Sequence, residues 1–251
     1  MRIGILQTGK VNAALEAAHG EYPAMMAALF TEAAPDFTFR TYVIVDDDFP
    51  ATPTECDGWL VTGSRHGVYD DLPWIAPLKD FLRAAREAGQ PILGICFGHQ
   101  ILAEAFGGRA AKSAKGWGLG LESYQVTARP SWMAGAPERL SMHAIHQDQV
   151  EAIPADATLL ATSPHCRFAM LAYGDPEAPD AVTIQPHPEC NGAYTRALID
   201  VLESDGRAPG AITDAARAAT GSETALTPDA GAFAEWSTAF LRGAAARARA
   251  A

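Results

Sequence analysis

The hydrophobic and polar positions of this chain follow two rhythms. Short, nearly continuous apolar runs occupy residues 2–7, 58–62 and 91–96, and Phe37–Val45 alternates between apolar and polar. Runs of this length predict strands, the continuous ones buried on both faces. Between them lie segments with helical spacing. Tyr22–Ala34 places Met25, Met26, Leu29 and Phe30 on one face. Trp74–Ala88 does the same with Ile75, Leu78, Phe81, Leu82 and Ala85, and Gly89 ends it. A third helix is predicted from Gly98 to about Phe106, closed by Gly107-Gly108. Residues 10–20, punctuated by Gly20 and Pro23, read as loop. Strands alternating with helices predict βαβ units and an α/β fold, an open, mostly parallel sheet with helices on both faces.

From residue 109 the rhythm changes. Helical spacing fades, and β-type runs near 119–127, 139–145, 158–162 and 167–173 predict a smaller antiparallel section. Gly116-Trp117-Gly118-Leu119-Gly120 reads as a flexible turn. Its one large aromatic either lips a substrate site or packs on the sheet edge. A further β-type run ends near Cys190, and 191–203 reads as a helix. Glycines and prolines at 206–210 then suggest a linker to two more helices, at 208–219 and 229–249. The last spaces Phe233, Trp236, Phe240 and Ala244 at i, i+3, i+7 and i+11. This predicts a domain over 1–203 and a C-terminal helical extension over 204–251. The final helix either packs back onto the domain or offers a homodimer or partner surface.

Composition narrows the function classes. The 251 residues are 48% hydrophobic and 20% charged, ordinary for a globular protein. A formal charge of −11 argues against nucleic acid or an anionic membrane as the main partner. No apolar run approaches the length of a membrane span. Met1–Leu6 leads straight into a strand pattern with no signal peptide, so a cytoplasmic location is the expectation. The four cysteines, Cys56, Cys96, Cys166 and Cys190, form no C-x-x-C pair, and their spacing to histidines suggests no closed zinc site. Asp46-Asp47-Asp48 reads as a solvated loop rather than a metal site. Neither metal nor cofactor is expected.

Two segments carry candidate chemistry. Cys96 ends a buried-strand pattern, stands between Gly94 and Gly98, and opens a helix. A nucleophile on a sharp strand-to-helix turn needs small neighbours, because its backbone is strained and its side chain must stand clear. The helix N-terminus would also favour negative charge on the thiol. Taken alone, Cys96 has a lesser second reading as a buried core cysteine. Far downstream, Gln185-Pro186-His187-Pro188-Glu189 ends a second β-type run with a histidine and a carboxylate two residues apart. A thiol nucleophile needs a base within reach, and the base needs an orienting group. His187 and Glu189 fill both roles if the two strands lie side by side.

With Gly94-Ile95-Cys96-Phe97-Gly98-His99-Gln100, these segments resemble the class I (triad-type) glutamine amidotransferase family, over roughly residues 1–203. Two weaker matches are Leu60-Val61-Thr62-Gly63-Ser64, at the family's oxyanion turn, and His146-Gln147-Asp148-Gln149-Val150, at its His-x-Asp loop. The resemblance implies a flavodoxin-like fold and a Cys96–His187–Glu189 triad. It implies an oxyanion site from the N–H of Phe97 and that of Gly63 or Ser64. The family usually has Gly-Gly-Pro or Asn-Gly-Pro there, where this chain has Gly63-Ser64-Arg65. It also implies substrate binding by Gln100 and by His146, Gln147 and Asp148. Without the resemblance, Gln100 reads as a cap in the first helical turn and Asp148 as a turn residue. His99 reads as a wall of the site. Cys190 reads as a small residue at a helix start or a resolving thiol.

The elbow, the Gly63-Ser64 turn and the Gly116-Trp117-Gly118 segment look most like the stand-alone, GMP-synthase-like branch, which includes γ-glutamyl peptidases. That implies hydrolysis of a small γ-glutamyl amide through a γ-glutamyl thioester. No G-x-x-x-x-G-K-[ST] motif occurs. The alternative is therefore a glutaminase subunit that feeds ammonia to a separate GMP-synthetase-like partner. A redox-sensing relative without amide chemistry is a third reading, and the intact His187-Pro188-Glu189 argues against it.

Overall fold

The computed structural model describes residues 1–221, 223, 224 and 226–250. The strands are β1 (Arg2–Leu6), β2 (Thr38–Tyr42), β3 (Gly58–Val61), β4 (Ile92–Ile95), β5 (Arg109–Lys112), β6 (Gly118–Val126), β7 (Arg139–His146), β8 (Asp148–Ala152), β9 (Ala157–Thr162), β10 (Met170–Tyr173) and β11 (Ala181–Ile184). The helices are α1 (Ala13–His19), α2 (Tyr22–Leu29), α3 (Ile75–Glu87), α4 (Phe97–Ala105), α5 (Gly192–Ser204), α6 (Gly210–Ala219) and α7 (Pro228–Ala250). No helix among the described residues is long and apolar enough to cross a membrane.

Nine strands form one sheet in the order β2-β1-β3-β4-β11-β10-β9-β6-β7. The half from β2 to β11 is parallel, as the βαβ pattern predicts, and β10, β9, β6 and β7 extend it antiparallel. Side chains alternate across a strand, and the core divides accordingly. Ile3, Ile5, Leu60, Leu93 and Ile95 face Met26 of α2, Phe30 just beyond it, and Phe233 and Phe240 of α7. Leu6, Trp59, Val61 and Ile92 face Leu78 and Leu82 of α3 and Ile101 and Leu102 of α4. Helices therefore cover both faces.

Two registers place the site. Ile95 pairs with Ile184 and Val61 with Gly94, so Thr62, Cys96 and Gln185 leave the carboxyl ends of adjacent strands together. That edge is where open α/β sheets bind ligands. The antiparallel half curls back on it: the N–H of His187 donates to the carbonyl of His143 in β7 at 2.8 Å. A separate two-stranded ribbon pairs β5 with β8.

Three local expectations are corrected. Residues 13–19, read as loop, form α1, capped by the Asn12 side chain on Ala14 N; Leu15 is its one buried residue, so it carries no apolar stripe. Helix α2 closes at Leu29, and a looser turn carries the chain on to Ala34, whose N–H bonds the Phe30 carbonyl at 2.9 Å. Gly118–Gly120, read as turn, begins β6. Gly120 has φ +91°, and a Cβ there would stand 3.0 Å from the Ala216 carbonyl oxygen of α6. This glycine permits close helix–sheet approach. Helix α7 lies on the sheet, with Phe233, Trp236, Phe240 and Leu241 in the main core cluster and the Trp236 indole donating to the Ala134 carbonyl at 3.0 Å.

Candidate active site

Cys96 sits between β4 and α4 with φ +53° and ψ −102°. Asp47 is the other non-glycine residue with positive φ among the described residues. Such a backbone costs about 1–3 kcal/mol and persists only where its surroundings impose it. Here the Cys96 N–H donates to the Ile184 carbonyl at 2.9 Å, and the Cys96 carbonyl accepts from Gln100 N at 3.1 Å. Glycines make the turn sterically feasible. A Cβ on Gly94 would meet Gly98 C at 2.7 Å, and one on Gly98 would collide with the Val61 carbonyl oxygen.

His187 and Glu189 lie just beyond β11, both buried, with His187 Nδ1 2.6 Å from Glu189 Oε1. Burial opposes the imidazolium. The Glu189 carboxylate, followed by the Cys96 and Cys190 thiols, outweighs it and holds His187 well above the ordinary histidine range. Gly63 adjoins both residues: a Cβ there would stand 3.0 Å from His187 Cε1 and 3.7 Å from Cys96 Cβ. The thiol lies 4.0 Å from the Ile145 carbonyl, and His187 Nε2 has no hydrogen-bond partner among the described residues. Nucleophile and base thus share the floor without bonding each other, a looseness common before substrate binds.

The third element is the turn after β3. Thr8 N donates to Thr62 Oγ1 at 3.0 Å and Thr8 Oγ1 to the Thr62 carbonyl at 2.9 Å, tying the turn to the end of β1. The N–H groups of Gly63, Ser64 and Phe97 find no acceptor among the described residues.

A cleft of about 820 Å³ opens above these groups. Cys96, His187, Ser64, Gln100, His146, Gln147 and Asp148 all border it. Gln100 Nε2 donates to the Asp148 carbonyl at 2.9 Å and to Gln185 Oε1 at 3.1 Å, which leaves its own Oε1 for a ligand. The Gln147 carbonyl accepts from Ser113 N at 3.0 Å. The Asp148 carboxylate accepts from Tyr69 Oη at 2.9 Å, and burial raises it above the ordinary carboxylate range. His146 is buried, with neither ring nitrogen partnered among the described residues. Burial, aided by the charges of His165 and His187, pushes it down to about 3. It stays neutral at physiological pH.

His99, expected on the site wall, is instead fully buried, with Nδ1 2.7 Å from Thr183 Oγ1, and does not border the cleft. The sequence assigns no role to Gln185, Tyr69, Arg65 or Arg207. Gln185 follows β11 within the Gln-Pro-His-Pro-Glu segment, Arg65 follows the Gly63-Ser64 turn, and Tyr69 and Arg207 reach the cleft without a motif. Trp117 does border the cleft. Ligand atoms of His187, Glu189 and Cys190 lie within 4.8 Å of one another. His187 Nδ1 is already bonded to Glu189, so that nitrogen is committed before any metal arrives.

Known proteins resemble this chain in sequence and in fold. Residues 40–198 match the family model for glutamine amidotransferase class I. The chain is 32% identical to gamma-glutamyl peptidase 3 of Arabidopsis thaliana over 165 residues, 62% of this chain and 65% of the peptidase. It therefore spans just under two thirds of that curated relative. It is 33% identical to one subunit of the glutamine-hydrolyzing GMP synthase of Methanospirillum hungatei over 106 residues, 42% of this chain and 54% of that subunit. The crystal structure of a glutamine amidotransferase from Thermotoga maritima superposes with a TM-score of 0.72 at 20% identity, covering 96% of this chain and 98% of that one. The fold is shared, and the match to the family model covers more than half of the sequence. The chain belongs to the class I glutamine amidotransferases.

Proposed function

We propose that this protein hydrolyses the γ-carboxamide of glutamine or of a small γ-glutamyl amide, with Cys96 as nucleophile. The observation that carries the reading is the strained Cys96 turn, opening on a large cleft beside the 2.6 Å His187–Glu189 pair. The thiolate attacks the γ-carbonyl carbon. The oxyanion is received by the N–H of Phe97 and that of Gly63 or Ser64, each such donor being worth about 2.7–4 kcal/mol. His187, held as imidazolium by Glu189, protonates the departing nitrogen as the C–N bond breaks. A γ-glutamyl thioester remains. Water, deprotonated by His187, then attacks it and releases glutamate and the thiol. Gln100 Oε1, His146, Gln147 and Asp148 border the cleft where the glutamyl head is held. We place this activity in the cytoplasm, where the four buried free cysteines stay reduced.

The purified chain should release glutamate from a γ-glutamyl substrate without added protein or nucleotide, at about 1–1,000 per second. Cys96→Ser should stay folded and lose at least about a thousandfold. The similarity to a GMP synthase component supports a second reading, in which a synthetase partner completes the Gly63-Ser64 turn. Negligible activity alone, rising a hundredfold or so with ATP and a candidate synthetase, a gain of about 2.7 kcal/mol, would favour that reading over the hydrolase.

A further inference from the structure

The family match ends at residue 198, yet the chain beyond it borders the cleft through Asp205 and Arg207. How Arg207 is held follows from local chemistry. Helix α5 ends at Ser204, with Asp205 as its C-cap. Gly206 then turns to φ +65°. Gly206 N donates to the Glu203 carbonyl at 2.9 Å and Arg207 N to the Leu202 carbonyl at 2.9 Å. This is the paired bonding of a Schellman stop, which only a residue tolerant of positive φ closes cheaply. The Arg207 carbonyl in turn accepts the Trp117 indole N–H at 3.0 Å, from a residue that also borders the cleft. The root of the Arg207 side chain is thus fixed on both sides, which lowers the entropic cost of using its head in binding.

A second cation faces the same space. Arg65 follows directly on Ser64 and borders the cleft. Both guanidinium groups act on His66: burial first, then Arg65 and Arg207, lower it against the opposing pull of Asp70. Arg65, His66 and Arg207 all border this one cleft. Neither guanidinium makes an ion pair or side-chain hydrogen bond among the described residues, whereas Lys10 on the same cleft is paired with Asp46 at 2.9 Å. The cleft, at about 820 Å³, lies in the upper part of the range that holds drug-sized ligands, roughly 300–1,000 Å³. That is far more room than glutamine alone would fill.

We propose that Arg65 and Arg207 form an anion-holding wall that selects γ-glutamyl substrates whose leaving group carries a carboxylate. The inference rests on the hydrolase reading. The glutamyl head has its own partners there, in Gln100 and the 146–148 loop with Lys112 beside Asp148, and Arg65 and Arg207 are assigned to the other end of the molecule. A guanidinium offers a planar fork matched to a carboxylate, and two such forks on one cleft favour an anionic leaving group over ammonia or a neutral amine. Asp205 stands on the same wall and disfavours a second negative charge near it.

The test compares γ-glutamylglycine with γ-glutamylglycinamide, which differ only in that carboxylate. The ratio of their kcat/KM values should be at least about tenfold in favour of the acid, and should shrink at high salt. Arg207→Ala and Arg65→Ala should each bring the ratio toward one, mainly through KM, and Arg207→Lys should retain part of it. Both arginines are exposed, so these variants should fold. A ratio near one in the wild type, or one unchanged in both alanine variants, overturns the wall. If neither compound is hydrolysed, the hydrolase reading fails separately. The same ratio is then read as Kd values on Cys96→Ala protein by calorimetry, where equal affinities overturn the wall as well.

Discussion

His187 Nδ1 and Glu189 Oε1 stand 2.6 Å apart in a strand end that solvent scarcely reaches. The pair sets the sign of a pH effect. Burial alone would drive His187 toward neutrality, and Glu189 is the largest of the causes that reverse it. The proton therefore stays on the ring to a pH above the ordinary histidine range near 6.5. If the imidazolium protonates the leaving group, kcat/KM should hold from pH 6.5 upward and fall only on the alkaline side. Glu189→Gln removes the main support, so the alkaline limb should move to lower pH while kcat falls on the order of 10⁴-fold. A pH–rate profile of both proteins checks this. An alkaline limb that does not move would separate Glu189 from the chemistry.

Gly98 tests the elbow by sterics alone. A Cβ there would meet the Val61 carbonyl oxygen and, at 3.0 Å, the Val61 Cβ. The oxygen belongs to the backbone of a central strand and cannot swing aside. Gly98→Ala should therefore cost about 1–3 kcal/mol or more, as overpacked cores do. It should also lower activity by shifting Cys96. Urea denaturation gives the first number and steady-state kinetics the second. Gly116→Ala is a useful contrast for crowding, since open space surrounds that position, although its φ of +76° still carries backbone strain.

His99 makes stability depend on acid. It is fully buried, and burial pushes it down to about 3, against about 6.5 in an unfolded chain. Between those values the unfolded state binds the proton and the folded state does not. Stability is thus fully present above pH 6.5 and is lost as pH falls toward 3. The slope is about 1.4 kcal/mol per pH unit. His99→Gln removes this one term. The stability of the wild type relative to His99→Gln should fall by about that slope between pH 6 and pH 4, measured by denaturant titration at each pH. A constant difference would mean that His99 takes up a proton in the folded state as readily as in the unfolded one.

The three residues of the proposed triad were legible because each stands at or just beyond the end of a short apolar run. Cys96 follows the buried strand Ile92–Ile95, and His187 and Glu189 follow the buried strand Ala181–Ile184. Small glycines around Cys96 and prolines around His187 mark those ends in the local sequence. What did not show was built from distant parts. Strands β5 and β8 are four and five residues long and pair across some forty positions, so neither carries a periodic signal of its own. Trp117 and Arg207 are 90 residues apart in sequence. His99 misled because adjacency to Cys96 in sequence suggested adjacency at the cleft. Cys96 itself is not helical, with φ +53°, so the face shared by residues three apart in a helix does not extend to it, and His99 in the first turn of α4 turns to Thr183 of β11 in the core.

Helix α7 separates two roles that its sequence left open. Phe233, Trp236, Phe240 and Leu241 are buried within one cluster that includes Ile3, Leu93 and Met26 of the sheet and α2. The apolar face is thus already covered by the same chain, and the helix should behave as part of the core. Phe233→Ala should lower unfolding stability by about 3–5 kcal/mol, the range for emptying a buried aromatic site. Glu235→Ala, on the exposed side of the same helix, should stay within about 0.5 kcal/mol. The denaturation midpoint should not change with protein concentration, because no second copy is needed to bury that face. A midpoint that rises with concentration, and loses that dependence in Phe233→Ala, would show that the face completes an interface between copies.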